Sequence, residues 1–224
     1  MSASAVILAA GRGDRMQTNE NKILLPIFGQ ALICHTVSAF AHIPELVDLV
    51  LVVHPDEIEI VRQLVQPIAD HCRFVAGGET RRDSALVGVR AVTSDIVLIH
   101  DGARPFPSST LIQHVLTVAR HENAVIPVLP IPDLLHRVDK TTARIVTLSN
   151  SSNHPLVRAQ TPQGFRRALI LRCLEAASPE IRDDATAILL AGKSVATVAG
   201  DPTNIKVTRP EDLALAEAIA ASRR

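Results

Sequence analysis

The segment Ala9-Ala10-Gly11-Arg12-Gly13-Asp14-Arg15-Met16 follows an apolar run and leads to a basic pair, Arg15 and Lys22. Gly11 and Gly13 allow a tight turn and bring backbone N–H groups toward an anion. Two cations just beyond such a turn can meet the charge of a leaving pyrophosphate, so the pattern reads as a triphosphate cradle. A bare G-x-G is as often only a tight strand–helix turn; the extension to GxGxRM, with a lysine soon after, makes the pattern specific. It is not the dinucleotide fingerprint, because Met16 stands at the third glycine position. Ala191-Gly192-Lys193-Ser194 is not a P-loop either, because Ala187 occupies the place of the earlier glycine.

Three more segments carry polar groups just past apolar runs. In Gly77-Gly78-Glu79-Thr80-Arg81-Arg82-Asp83-Ser84 the glycines permit close backbone approach, while Glu79 and Asp83 also suit the first turn of a helix and Ser84 a helix surface. In His100-Asp101-Gly102-Ala103-Arg104-Pro105, Asp101 is placed for a ribose hydroxyl, a metal or a polyol, with a turn or cap aspartate as the plain alternative. Lys206 lies between Ile205 and Val207. On an edge it would be solvated; pointing inward it needs an anionic partner, which a phosphate would supply.

Near-continuous apolar runs at Ala5–Ala9, Leu49–Val53, Arg73–Ala76, Ile96–Ile99 and Ala124–Leu129 suit strands buried on both faces. Amphipathic segments at Ala31–Ala41, Pro55–Ala69, Arg82–Val92 and Ser108–Arg120 alternate with them, which predicts an α/β fold with a mostly parallel sheet wrapped by helices. In such sheets ligands bind beyond the carboxyl ends of the strands, where all four segments fall. The rhythm breaks after Pro130. Leu134–Val138 and Arg144–Leu148, joined by Asp139–Ala143, predict a protruding hairpin. Helices follow near Phe165–Ala176 and Asp183–Ala191, with strands at Ser194–Val198 and Asn204–Val207. A last helix is expected to open with a Thr208/Glu211 capping box and Pro210 in its first turn.

Composition narrows the function. The 224 residues suffice for a sizeable core, and 47% hydrophobic residues exclude a disordered chain. Five Phe with no Tyr or Trp argue against base-stacking platforms, and equal totals of 23 cationic and 23 acidic residues argue against a basic nucleic-acid binder. No apolar run reaches about 18 residues, so no membrane span is expected. Ala5–Ala10 is too short, and lacks the basic start, for a signal peptide. Cys34, Cys72 and Cys173 form no CxxC, which points to buried thiols in a reducing cytoplasm. No residue is expected to act as a metal ligand, since the His are scattered singly without HExxH.

Taken together, AAGRGDRM with Lys22, GGETRRDS, HDGARPF, RAQTPQGF (Arg158–Phe165), RDDAT (Arg182–Thr186) and NIKVTRPEDL (Asn204–Leu213) resemble the 2-C-methyl-D-erythritol 4-phosphate cytidylyltransferase family, nearly end to end. The resemblance implies one Rossmann-like nucleotidyltransferase domain over 1–224, with a hairpin arm at about 133–153. It implies transfer of CMP from CTP to a methylerythritol phosphate with release of pyrophosphate, by in-line attack of the acceptor phosphate on the α-phosphorus. Mg²⁺ would be bound mainly through the CTP phosphates. Arg15 and Lys22 would hold the triphosphate, and Lys206 would contact the α-phosphate region. Ala9, Ala10, Gly11, Gly13, Gly78, Glu79 and Ser84 would surround the nucleotide, and Asp101, Gly102 and Arg104 the ribose and acceptor. The arm would reach into a partner subunit, giving a homodimer with composite sites. No nucleic-acid or membrane partner is implied.

The departures from the family pattern cluster on the acceptor side. Leu134 follows Asp133 where the family has Thr. No Arg lies between Arg144 and Arg158, leaving Asn150 or Asn153 at the arm's far end. Arg182 replaces a Thr, Gly102 an Ala and Ile23 a Gln. An asparagine cannot replace the charge of a bidentate arginine, and Arg182 is a candidate for restoring it. Another polyol phosphate such as ribitol phosphate as acceptor, or a nucleotide-binding paralogue without catalysis, are the alternatives. Some family members are fused to a cyclase; the last expected helix ends near Arg224, so the transferase part alone is expected.

Overall fold

The computed structural model of the chain describes residues 1–11, 21–148 and 155–223. Strand β1 (Ala3–Ala9) is buried along almost its whole length, as its continuous apolar run demands. It lies between β4 (Leu46–Val53) and β6 (Ile96–Asp101), parallel to both, and β5 (Arg73–Ala76) extends the sheet beyond β4, also parallel. A short antiparallel pair, β2 (Pro26–Ile27) and β3 (Gln30–Ala31), precedes α1 (Leu32–Ala41). Helices α2 (Ile58–Val65), α3 (Arg81–Ala91) and α4 (Ser109–His121) connect β4 to β5, β5 to β6 and β6 to β7 (Ala124–Pro130).

The period-two geometry of a strand splits the apolar residues between two layers. Ala5, Ile7, Leu49, Leu51 and Leu98 pack on one side with Ile33, Val37, Val61 and Ile112 of α1, α2 and α4. Val6, Val50, Val52 and Val97 pack on the other with Ala85 and Val89 of α3 and Leu174 of α5 (Arg167–Ala176). The fold is therefore α/β with helices on both faces of a mostly parallel sheet.

The far half of the sheet departs from the expected rhythm. Strand β8 (His136–Val138) pairs antiparallel with β9 (Ile145–Leu148) as a separate two-stranded sheet, which is the expected hairpin. The chain then returns as β10 (Val157–Ala159) and β11 (Gln163–Arg166), both antiparallel to β7, and β11 inserts between β7 and β6. Strand β12 (Ala196–Ala199) follows α6 (Asp184–Leu190) and lies parallel on the opposite edge of β7, because Val125 and Val128 each have partners on both sides.

Several expectations need correction. Phe165 belongs to β11, not to the following helix; at Gly164 a Cβ would stand 2.9 Å from Val115 and 3.0 Å from Ala119, so only glycine lets α4 lie this close. The segment Asn204–Val207 is not a strand. Its Asn204 carbonyl is taken by the side chains of Arg104 and Gln160, and Val207 N donates to Ala103 O at 2.9 Å. The segment Pro55–Ala69 contains a 3₁₀ turn at Pro55–Glu57 before the shorter α2. Before α7 (Glu211–Ser222), Asp212 and not Glu211 closes the turn: its Oδ2 accepts from Thr208 N, Thr208 Oγ1 and Arg209 N. The three cysteines are buried and free. Among the described residues no helix is long and apolar enough to cross a membrane.

Candidate active site

The loops after β1, β5 and β6 converge at the carboxyl ends of these parallel strands, as the topology requires. Gly77 brings the first two together: a Cβ there would stand 2.3 Å from Ala10 Cβ and 3.0 Å from Ser84 Oγ. Ser84 Oγ in turn accepts from Gly78 N at 3.2 Å, so this serine holds the glycine loop against α3. Thr80 and Asp83 form a capping box, which gives Asp83 a structural role.

A cavity of about 240 Å³ opens between these loops. Its walls include Ala9, Ala10, Gly11 and Lys22 from the first segment, and Gly78, Glu79 and Ser84 from the second. Asp101 and Lys206 complete it. Lys22 is set there by a short 3₁₀ turn whose Asn21 cap accepts from Ile23 N at 3.3 Å and donates to Glu57 at 2.7 Å. Of the three expected triphosphate cations, Lys22 and Lys206 thus share one cavity; Arg15 lies outside the described residues, as do Gly13, Asn150 and Asn153.

Asp101 is the hub of a charge cluster. Lys206 Nζ donates to its Oδ2 at 2.7 Å, and guanidinium nitrogens of Arg81 and Arg104 stand 3.4 and 3.8 Å from its oxygens. Burial alone would raise the Asp101 carboxyl, but Lys206, Arg81 and Arg104 outweigh it and hold the group well below the usual carboxylate range. Arg81 also makes a bidentate bond to the wholly buried Asp184, at 3.0 and 2.8 Å. Burial opposes the charge on Arg81, yet Asp184 and then Asp101 push its pKa up, so it stays cationic.

The Asp101 turn is fixed from below. Asp101 N donates to Thr161 Oγ1 at 3.1 Å, and Thr161 Oγ1 lies 3.0 Å from His100 Nδ1. His100 Nε2 lies 3.0 Å from the Arg104 carbonyl, which can only accept, so Nε2 carries a proton; with the ring buried and neutral, Thr161 donates to Nδ1. Burial lowers the His100 pKa to about 4, in keeping with that assignment. Thr36 Oγ1 donates to Gly102 O at 2.9 Å, and Gly102 N to Leu8 O at 2.7 Å.

Arg104 and Gly102 do not line the first cavity. Arg104 lies instead on a second cavity of about 350 Å³, together with Leu129, Arg158, Asn204 and Asp212. Lys206 lines both cavities, so it stands where they meet. Arg182 is exposed on the turn before α6 and lines neither. A larger cavity of about 680 Å³, between α1, Phe106 and the end of α7, contains none of the expected site residues.

Sequence reasoning missed Arg81, Asp184, Thr161 and Arg158. Arg81 did leave a signal: a cation in the first turn of a helix opposes the dipole and asks for a carboxylate partner. Asp184 is 103 residues away, and nothing local marks it as that partner. Among the described residues no three His, Cys, Asp or Glu side chains converge as a metal cage.

The sequence model described as IspD, 2-C-methyl-D-erythritol 4-phosphate cytidylyltransferase, matches residues 3–222. A curated protein of that name from Halalkalibacterium halodurans is 36% identical, over 100% of this chain and 99% of the relative. The bifunctional IspD/IspF enzyme of Bartonella bacilliformis is 37% identical over 95% of this chain, which spans only 55% of that relative's length. Among solved structures, the Thermus thermophilus cytidylyltransferase of the same name superposes with a TM-score of 0.79 at 33% identity, covering 99% of this chain and 100% of that one. The match thus runs through both halves of the sheet and every loop around the two cavities, and the chain belongs to the 2-C-methyl-D-erythritol 4-phosphate cytidylyltransferase family.

Proposed function

We propose that residues 1–224 act as one nucleotidyltransferase domain that transfers CMP from CTP to 2-C-methyl-D-erythritol 4-phosphate and releases pyrophosphate. The observation that carries this reading is Lys206, which stands where the two cavities meet. CTP occupies the first cavity and the phosphorylated acceptor the second. An acceptor phosphate oxygen then attacks the α-phosphorus in line, the bond to the β-phosphate oxygen breaks, and pyrophosphate leaves. No covalent enzyme intermediate is required; catalysis is positioning and charge neutralisation. Lys22, with Arg15, neutralises the leaving pyrophosphate, and Lys206 neutralises charge at the α-phosphorus. Ala9, Ala10, Gly11, Gly78, Glu79 and Ser84 surround the nucleotide, and Asp101 holds Lys206 in place. The wall offers Asp101 already bound by cations and no cage of carboxylates among the described residues, which suits Mg²⁺ arriving on the CTP phosphates and adding charge neutralisation there.

Pyrophosphate release from CTP, with 2-C-methyl-D-erythritol 4-phosphate and ribitol phosphate compared as acceptors, tests the reading. Lys22→Met and Lys206→Met should each lower the rate about 10²–10³-fold while the fold survives. Parental rates in both variants, or no pyrophosphate release by the parent, would refute it. The exposed apolar residues Leu134, Val138 and Ile145 support a homodimer formed through the hairpin; a monomer in sedimentation velocity would refute that part.

A further inference from the structure

The second cavity has a cation that the proposed reaction leaves unassigned. At about 350 Å³ it falls in the range of small-molecule sites, about 300–1,000 Å³. Three cations line it, and two of them are already occupied. Lys206 is bound to Asp101, and Arg104 donates to Asn204 O at 2.8 Å and to Ala159 O at 3.4 Å. The third, Arg158 of β10, is exposed, and its side chain has no hydrogen bond or ion pair to a described residue. It is close enough to Arg104 for its charge to act on that guanidinium. The acid on the wall, Asp212, is one carboxylate against three cations, and its Oδ2 already accepts three bonds from Thr208 and Arg209. Asn204, wholly buried on the same wall, has an Oδ1 without a hydrogen-bond partner among the described residues. A cavity lined by three cations against one carboxylate, with one guanidinium unpaired among the described residues, suits a ligand that carries a phosphate.

We propose that Arg158 is the residue that selects the acceptor by its phosphate, gripping that phosphate from within the same subunit beside Arg104 and Lys206. The proposal rests on the cytidylyl-transfer reading above and adds to it the residue that sets acceptor affinity. Arg182, which lines neither cavity, is left outside this role.

The test is steady-state kinetics of pyrophosphate release with CTP and 2-C-methyl-D-erythritol 4-phosphate for the parent, Arg158→Ala, Arg158→Lys and Arg182→Ala. Arg158→Ala should raise KM for the acceptor about ten- to hundred-fold, with KM for CTP and kcat within about threefold of the parent. Arg158→Lys should recover part of that loss, because it restores the charge without the planar fork. Arg182→Ala should leave the acceptor KM unchanged. An acceptor KM in Arg158→Ala within about twofold of the parent, an equal rise in the KM for CTP, or a larger effect from Arg182→Ala would overturn the inference and leave the cytidylyl-transfer reading standing. A parent that releases no pyrophosphate with any acceptor would instead overturn that reading, and the inference with it.

Discussion

Replacing Asp101 by Asn removes one charge from the centre of the site with almost no change of shape. Lys206, Arg81 and Arg104 lie 2.7, 3.4 and 3.8 Å from the carboxylate that is lost. Removing one partner of a buried ion pair costs about 3–5 kcal/mol, because the charge left behind remains desolvated. Two of the cations have relief. Arg81 keeps its bidentate bond to Asp184, and the Lys206 side chain is 35% exposed, so water screens it. Arg104, whose side chain is 12% exposed, retains only carbonyl acceptors. The expected loss is about 2–3 kcal/mol, below the full cost of a buried pair. In urea unfolding at pH 7 it shows as a lower midpoint with an unchanged slope. Since the cations hold the folded Asp101 carboxyl below its unfolded pKa, its stabilisation is complete above about pH 4 and fades as the pH falls further. The gap between parent and variant should therefore narrow below about pH 4. With Lys206 no longer held, CMP transfer should fall about 10²-fold, or about 2.7 kcal/mol. A variant with the parental midpoint and parental transfer rate would show that the cluster neither stabilises the fold nor sets the lysine.

Two further outcomes follow from the structure. His100 is neutral in the fold with its pKa lowered to about 4, against 6.5 when unperturbed, so its contribution is full above about pH 6.5 and is lost as the pH falls through 4. Parental stability should drop by about 3 kcal/mol over that window from this residue alone, and His100→Gln should flatten the slope; equal slopes by denaturant unfolding would refute the neutral assignment. Gly88→Ala in α3 sets a helix-propensity gain of about 1 kcal/mol against a Cβ that would stand 2.3 Å from Val6 and 2.9 Å from Val52. Overpacking of about 1–3 kcal/mol should win, lowering Tm, and a raised Tm would show that the sheet gives way there.

Much of the lining of the first cavity is legible in the sequence. The glycine loops, Lys22 and Asp101 stand beyond apolar runs, which end where ligands bind in a parallel sheet, and Lys206 is marked instead by a cation set between Ile205 and Val207. What could not be read was which side chains would meet. Ser84 and Asp83 turned out to be tied to their own loop, by hydrogen bonds that sequence spacing shows as possible but not as made. Arg104 faces the second cavity, because β11 inserts between β6 and β7 and carries β10 and Arg158 toward it. Nothing local in Gln163–Arg166 distinguishes a short strand from the first turn of a helix.

The order of residues by itself determined the alternation of buried strands and amphipathic helices, the layer each strand residue faces, and the loops that must lie at one end of the sheet. These follow from periodicity and local backbone preference, which act within a few residues. Only the tertiary structure decided that Asp101 would hold Lys206 across 105 residues and that Arg81 would reach Asp184 across 103. Long-range ion pairs of this kind are set by strand order and loop packing, and no short stretch of sequence encodes them.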